Sequence, residues 1–302
     1  MTGEASREAA FEGAQGNRLA ADVSGASGPP ALLLHGGGQT RHAWRKTADA
    51  LAESGWTAYA LDQRGHGDSE WIASGDYTFA DFAADAAAVA DTLAERHGVP
   101  PVVIGASLGG IASLYAEGEA RKRDRGLFAA LVLVDITPRV DRTGVSKVQG
   151  FMRAHARDGF ATVAEAADAV AAYLPHRPRP PSHEGLRKNL RLRPDGRWRW
   201  HWDPNFLDGP RPVGRERDDT ETALVEAARA LTIPTLLVRG PASELVGEEH
   251  ARDFLNLCPH ARYVDVAGAR HMVAGDRNDH FSVAVLDFLG EQSRRGGAPQ
   301  AP

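Results

Sequence analysis

The stretch with the plainest chemical content is Gly105-Ala106-Ser107-Leu108-Gly109, which follows the β-branched run Val102-Val103-Ile104 and precedes the helical pattern Ile111, Ala112, Leu114, Tyr115. Strand, sharp turn and helix in that order hold a serine in a strained conformation at the top of a sheet, with small residues on either side so that the turn can close. A serine hydroxyl is a weak nucleophile at neutral pH. It needs a base, a group to orient that base, and donors for the developing oxyanion. His271, in the loop Gly268-Ala269-Arg270-His271-Met272 after the last expected strand, is the candidate base. His35 and His66 fall in other loops and read as supports. Glu244, just past the penultimate strand, is the preferred orienting carboxylate; Asp135, at the end of the strand after the serine, is its rival, and Asp62 reads as a tie between loop and sheet. Backbone N–H groups of the Gly36-Gly37-Gly38 run and of Leu108, at a helix N-terminus, are the candidate oxyanion donors. The glycine run lacks both phosphate-binding signatures, Gly-Lys-Ser/Thr and Gly-x-Gly-x-x-Gly.

Positioning these residues requires strands that end at one edge. Short strand-like runs at Ala31–Leu34, the first and wholly apolar, and at Thr57–Leu61, Val102–Ile104, Leu127–Val134, Thr235–Val238 and Arg262–Val266 alternate with helical patterns, as at Thr78–Arg96 and Phe281–Leu289. That alternation predicts an α/β fold with a mostly parallel, doubly wound sheet, its ligands gathered beyond the carboxyl ends of the strands. A hairpin turning at Gly16-Asn17 precedes it. The alternation breaks between residues 138 and 229, where helical patterns at Val148–Ala156 and Val163–Leu174 lead into a Pro-rich joint. Two alternating arms then flank Pro194-Asp195-Gly196. Residues 9–137 and 230–291 therefore read as the core, 138–229 as an inserted, mostly helical cap, and 1–8 and 292–302 as disordered tails. Trp198, Trp200 and Trp202 share one face of the cap hairpin and read as packing or pocket wall rather than a stacking surface for nucleic acid. Trp200 and Met272 are the candidate substrate contacts, while Phe151 and Met152 read as cap core.

A chain of 302 residues, 42% hydrophobic, can bury a large core, and its net charge of −5 argues against a general nucleic-acid or anionic-membrane binder. The lone Cys258 rules out an intrachain disulfide and a cysteine-based zinc cluster. Met1–Ala10 has no apolar core of the signal-peptide kind, and no apolar run approaches the roughly 20 residues that cross a bilayer. The expectation is a soluble, cytoplasmic monomer or homodimer with a small-molecule substrate.

Taken together, His35-Gly36-Gly37-Gly38, Asp62-Gln63-Arg64-Gly65-His66-Gly67-Asp68-Ser69, Gly105–Gly110 and Ala269-Arg270-His271-Met272-Val273 resemble the capped α/β-hydrolase family, with similarity running from about Phe11 to Leu289. The resemblance implies Ser107 as nucleophile, His271 as base, Gly37 and Leu108 as oxyanion donors with Gly38 as a third, and no metal or organic cofactor. It implies an esterase-like hydrolase acting on an ester, lactone or related acyl bond. Hydrolytic C–C cleavage and cofactor-free perhydrolysis use the same triad, and a ligand-binding protein could keep the fold. Relatives that open epoxides or remove halogens carry aspartate at the elbow, so Ser107 speaks against both. The family acid is more often aspartate than glutamate, which bears on Glu244.

Overall fold

The computed structural model describes residues 6–177, 179–273 and 278–296, with the side chains of 278 and 293–296 left aside. Among the described residues there are ten strands: β1 (Arg7–Glu12), β2 (Arg18–Ser24), β3 (Pro30–Leu34), β4 (Thr57–Leu61), β5 (Val102–Ala106), β6 (Ala130–Val134), β7 (Leu190–Leu192), β8 (Trp198–Trp200), β9 (Thr235–Arg239) and β10 (Arg262–Asp265). Eight form one sheet in the order β1-β2-β4-β3-β5-β6-β9-β10, antiparallel at β1–β2 and β2–β4 and parallel from β4 to β10. Strands β7 and β8 make a separate antiparallel hairpin.

Every residue of β3, β4, β6 and β9 is buried, the state expected of parallel strands covered on both faces. Side chains alternate between two cores. Leu32, Leu34, Val103, Leu131 and Leu133 face one core, and Ala31, Leu33, Ile104, Val132 and Val134 the other. Helices α1 (Arg45–Glu53) and, at the C-terminal end, Asn278–Gly296 close the second face through Leu51, Phe281, Val285 and Phe288. The first face is closed by α2 (Phe79–His97) and α3 (Leu108–Arg121). Helix α2 starts at a capping box between Thr78 and Asp81 and stops at Gly98, whose φ of 71° no side chain favours.

The insertion contributes α4 (Arg142–Ala154), α5 (Val163–Tyr173), the short α6 (Glu184–Arg187) and α7 (Asn205–Asp208), and α8 (Arg217–Ala230). Helix α9 (Glu248–Leu257) follows β9, and the C-terminal helix is α10. Two expectations are corrected. Helix α8 falls inside the segment assigned to the cap, yet Leu224, Ala227 and Ala228 belong to the sheet core, and the close approach of Ala227 to Gly118 of α3 admits no extra carbon. The tails are also shorter than expected: β1 begins at Arg7 and α10 extends to Gly296, while 1–5 and 297–302 lie outside the described residues.

The cap is fixed to the core by its own apolar cluster, in which Trp200, Trp202, Phe206 and Met152 meet Phe82, Leu108 and Ala112. Backbone bonds add to it. Gly67 N–H donates to His201 C=O at 2.7 Å, and Asp203 N–H to Gly65 C=O at 2.8 Å. No helix among the described residues is long and apolar enough to cross a membrane.

Candidate active site

Strand β4 lies on one side of β3 and β5 on the other, so the chain reverses its winding between β3 and β5. A crevice opens at such a point beyond the carboxyl ends of the two strands. Ser107 occupies it with φ 47° and ψ −110°, a left-handed backbone that a non-glycine residue adopts only when its surroundings impose it. The surroundings are backbone: Ser107 N–H donates to Val134 C=O at 3.2 Å, and Gly109 N–H to His35 C=O at 3.2 Å. A Cβ on Gly105 would stand 2.5 Å from the Gly109 carbonyl oxygen, and one on Gly109 would collide with that of Leu34. The flanking glycines are thus required by close approach across the turn.

His271 follows β10, and its Nδ1 lies 2.7 Å from Oδ2 of Asp135. Asp135 is fully buried at the end of β6, with φ 51°. Its Oδ1 accepts from Gly240 N–H at 3.0 Å, and its Oδ2 also accepts from the Ser243 hydroxyl. Three donors converge on one buried carboxylate, which satisfies a charge that would otherwise be costly to bury. This arrangement corrects the preference for Glu244. The turn after β9, closed by Ser243 N–H to Gly240 C=O at 2.9 Å, carries the chain outward. Glu244 ends up partly exposed and paired with Arg270 at 3.0 Å, away from the imidazole nitrogens that Asp135 serves. Ser243, one residue earlier, is the group at the carboxylate. Sequence reading passed over it, although a small hydroxyl residue in the turn after β9 was its available signal.

The loop after β3 shows which amides are free. Gly36 N–H donates to Oε1 of Gln39 at 3.0 Å, and Gly38 N–H donates to Nε2 of His66 at 3.1 Å. Gly38 is therefore corrected as an oxyanion donor, because its N–H is already committed to His66. The N–H groups of Gly37 and Leu108 have no hydrogen-bond acceptor among the described residues. The Leu108 N–H is one of the orphan donors at the start of α3, where the helix dipole favours negative charge. His66 Nδ1 donates to Arg64 C=O at 2.9 Å, and His35 bridges Gly36 C=O (2.8 Å) and Gln63 N–H (3.1 Å). Both rings accept a backbone N–H, so both are neutral. Burial pushes His35 down to about 4 and His66 down to about 3. Asp62, expected to tie its loop to the sheet, instead ties it to the segment after β3 by accepting from Arg41 N–H at 2.6 Å, and closes the loop on itself by accepting from Asp68 N–H at 2.9 Å.

Above these groups lies a cavity of about 720 Å³ whose walls include Gly37, Ser107, Leu108 and His271. Its size suits a ligand of small to medium dimensions. Neither the Ser107 hydroxyl nor His271 Nε2 is hydrogen-bonded among the described residues. Apolar side chains of α4, the Trp hairpin and α7 cover the cavity, including Phe151, Met152 and Phe206. Trp200 and Met272 both line it. Trp200 packs edge-on against Phe160 at 5.2 Å, its buried indole N–H having no hydrogen-bond partner among the described residues, so it acts as apolar wall. Trp202, read from the sequence as packing or pocket wall, also lines the cavity. Its indole nitrogen stands 3.6 Å from where a Gly38 Cβ would be, beside the loop that offers the Gly37 amide. No group of three or more His, Cys, Asp or Glu side chains suited to a metal ion occurs among the described residues.

A family model described as the α/β hydrolase fold matches residues 29–277. The chain is 28% identical over 271 residues to Esterase Rv0045c of Mycobacterium tuberculosis, covering 88% of this chain and 84% of that one. It is 30% identical over 270 residues to 2-(acetamidomethylene)succinate hydrolase of Mesorhizobium japonicum, covering 87% and 88%. Among solved structures, an E-2-(acetamidomethylene)succinate hydrolase superposes with a TM-score of 0.78 at 24% identity, covering 95% of this chain and all of that one. The Mycobacterium tuberculosis esterase superposes with a TM-score of 0.73 at 27% identity, covering 96% and 94%. With this sheet, this serine turn and these likenesses over most of its length, the chain belongs to the α/β-hydrolase fold family as an esterase-like hydrolase.

Proposed function

We propose that the protein is a serine hydrolase that cleaves an ester, lactone or related acyl bond of a small to medium-sized organic substrate through an acyl-enzyme on Ser107. The observation that carries this reading is the 2.7 Å contact of His271 Nδ1 with buried Asp135, on the same cavity that holds the strained Ser107. Asp135 keeps the proton of the neutral imidazole on Nδ1, which leaves Nε2 free to take the proton of Ser107. Ser107 Oγ adds to the carbonyl carbon, and the oxyanion is met by the N–H groups of Gly37 and Leu108. The tetrahedral intermediate collapses and the C–O bond to the leaving group breaks. His271 returns its proton to the departing oxygen. Water then enters, gives a proton to His271, and its oxygen displaces Ser107 from the acyl carbon. His271 passes that proton to Ser107 Oγ as the acyl bond breaks, so the products are the alcohol, the acid and a restored serine. Mixing the enzyme with excess p-nitrophenyl ester, quenching in acid and weighing the intact chain tests the scheme. A burst of one p-nitrophenolate per chain and a mass increase of one acyl group, both absent in Ser107→Ala, are expected. Turnover with no acylated species in wild type, or an unchanged burst in Ser107→Ala, would refute it.

A further inference from the structure

The cavity wall is electrostatically lopsided. Five Lys and Arg side chains line it against two acids, Glu221 and Glu244. Both acids are already neutralised, Glu221 by Arg142 at 3.3 Å and by Arg139 at 3.4 Å, and Glu244 by Arg270 at 3.0 Å. The remaining three cations, Lys147, Lys188 and Arg217, have no ion-pair partner among the described residues. They come from three separate cap segments: Lys147 from α4, Lys188 from the end of α6, and Arg217 from the start of α8. Lys188 also adjoins Asn189, whose Oδ1 accepts from Thr40 Oγ1 at 3.1 Å, which ties this part of the cap to the chain just after the Gly36–Gln39 turn.

The surplus is local. The protein as a whole carries −5, yet the inserted segment 138–229 contains seventeen Lys and Arg against thirteen Asp and Glu, and residues 147–199, which hold Lys147 and Lys188, eleven against five. A cavity with apolar walls and uncompensated charge of one sign concentrates ligands of the opposite sign and raises their rate of entry. Building on the hydrolase reading above, we propose that the substrate is an anionic acyl compound, an ester or related molecule bearing a carboxylate remote from the scissile bond, whose charge is met by Lys147, Lys188 and Arg217. The apolar cover formed by Phe151, Met152 and Phe206 takes the carbon skeleton between that carboxylate and Ser107.

The test compares two esters of equal acyl length, p-nitrophenyl hexanoate and mono-p-nitrophenyl adipate, which differ only in a terminal carboxylate. The expected result is a kcat/KM for the adipate about tenfold or more above the hexanoate at low salt, shrinking several-fold at ~0.3 M salt as exposed charges are screened. Lys147→Gln and Lys188→Gln should each lower the adipate-to-hexanoate ratio by about two- to fivefold, in keeping with single exposed ion pairs. Hexanoate hydrolysis equal to or faster than adipate hydrolysis, with no salt dependence, would overturn the anionic preference while leaving the serine hydrolase intact. Inertness toward both esters would overturn the hydrolase reading and this proposal with it.

Discussion

Asp135 and His271 lie 136 residues apart in sequence and 2.7 Å apart in space, joined because β6 is the neighbour of β9 and β9 of β10. The buried carboxylate fixes the imidazole, and the exposed Glu244 does not. Asp135→Asn should therefore lower kcat on a p-nitrophenyl ester by roughly 10³–10⁴, the cost of presenting the wrong tautomer to the serine. Glu244→Gln should change kcat by less than about threefold, as befits a surface ion pair. Equal losses in the two variants would contradict the assignment.

Ser243 donates to the same carboxylate oxygen that faces His271, and its Oγ accepts from Leu245 N–H at 3.1 Å and Val246 N–H at 3.2 Å. Ser243→Ala leaves Asp135 with two donors instead of three. A hydrogen bond to a charged group is worth about 1.5–3 kcal/mol, so a decrease in kcat of roughly tenfold or more is expected, with KM little changed. Restored activity in Ser243→Thr would identify the hydroxyl as a positioning group rather than a packing element. A rise in KM at constant kcat would point instead to a displaced cavity wall.

The turn around Ser107 makes a different demand. Because a Cβ at residue 105 would press on the Gly109 carbonyl, Gly105→Ala should destabilise the fold by about 1–3 kcal/mol as an overpacked site. Denaturant titration measures this directly. Gly16→Ala serves as comparison: nothing lies within 4 Å of its Cβ, and its cost comes from the positive φ of 75° alone. A Gly105→Ala variant as stable as wild type would mean that the turn can open.

Much of this was legible in the sequence, because Ser107 and the Gly36–Gly38 run follow their strands within two residues and His271 lies in the loop after the last strand, and strand ends in a parallel sheet share one edge. The acid was harder to read. Asp135 and Glu244 both follow strands, and choosing between them depends on which way the residue 240–243 turn points and on the adjacency of β6 and β9. Neither is written in local periodicity. Commitment of the Gly38 amide to His66 likewise depends on two loops meeting across 28 residues. Helix α8 escaped because an amphipathic pattern looks the same whether its apolar side covers a cap or a sheet. Only the small pair Gly118 and Ala227, in contact, reveals its true neighbour.

Acid should unfold the protein through the two buried histidines. Both have folded values depressed by burial, to about 4 for His35 and about 3 for His66, against an ordinary value near 6.5. Below pH ~6.5 the unfolded chain binds protons that the folded chain refuses, so stability falls as pH drops, by about 1.4 kcal/mol per unit for each histidine. The decline from this source continues to pH ~4 for His35 and ~3 for His66, and then ends. Denaturation midpoints between pH 7 and 4 should show this slope, and His66→Gln should remove about one proton of it. A pH-independent midpoint over that range would contradict the neutral, acceptor role of the two rings.

The most direct test of the triad is labelling with a fluorophosphonate, followed by peptide mapping, in wild type, Ser107→Ala, Asp135→Asn and Glu244→Gln. One adduct per chain on Ser107 is expected, absent in Ser107→Ala, greatly slowed in Asp135→Asn and near the wild-type rate in Glu244→Gln. An adduct on another residue, or labelling slowed by Glu244→Gln and untouched by Asp135→Asn, would contradict the Ser107–His271–Asp135 assignment.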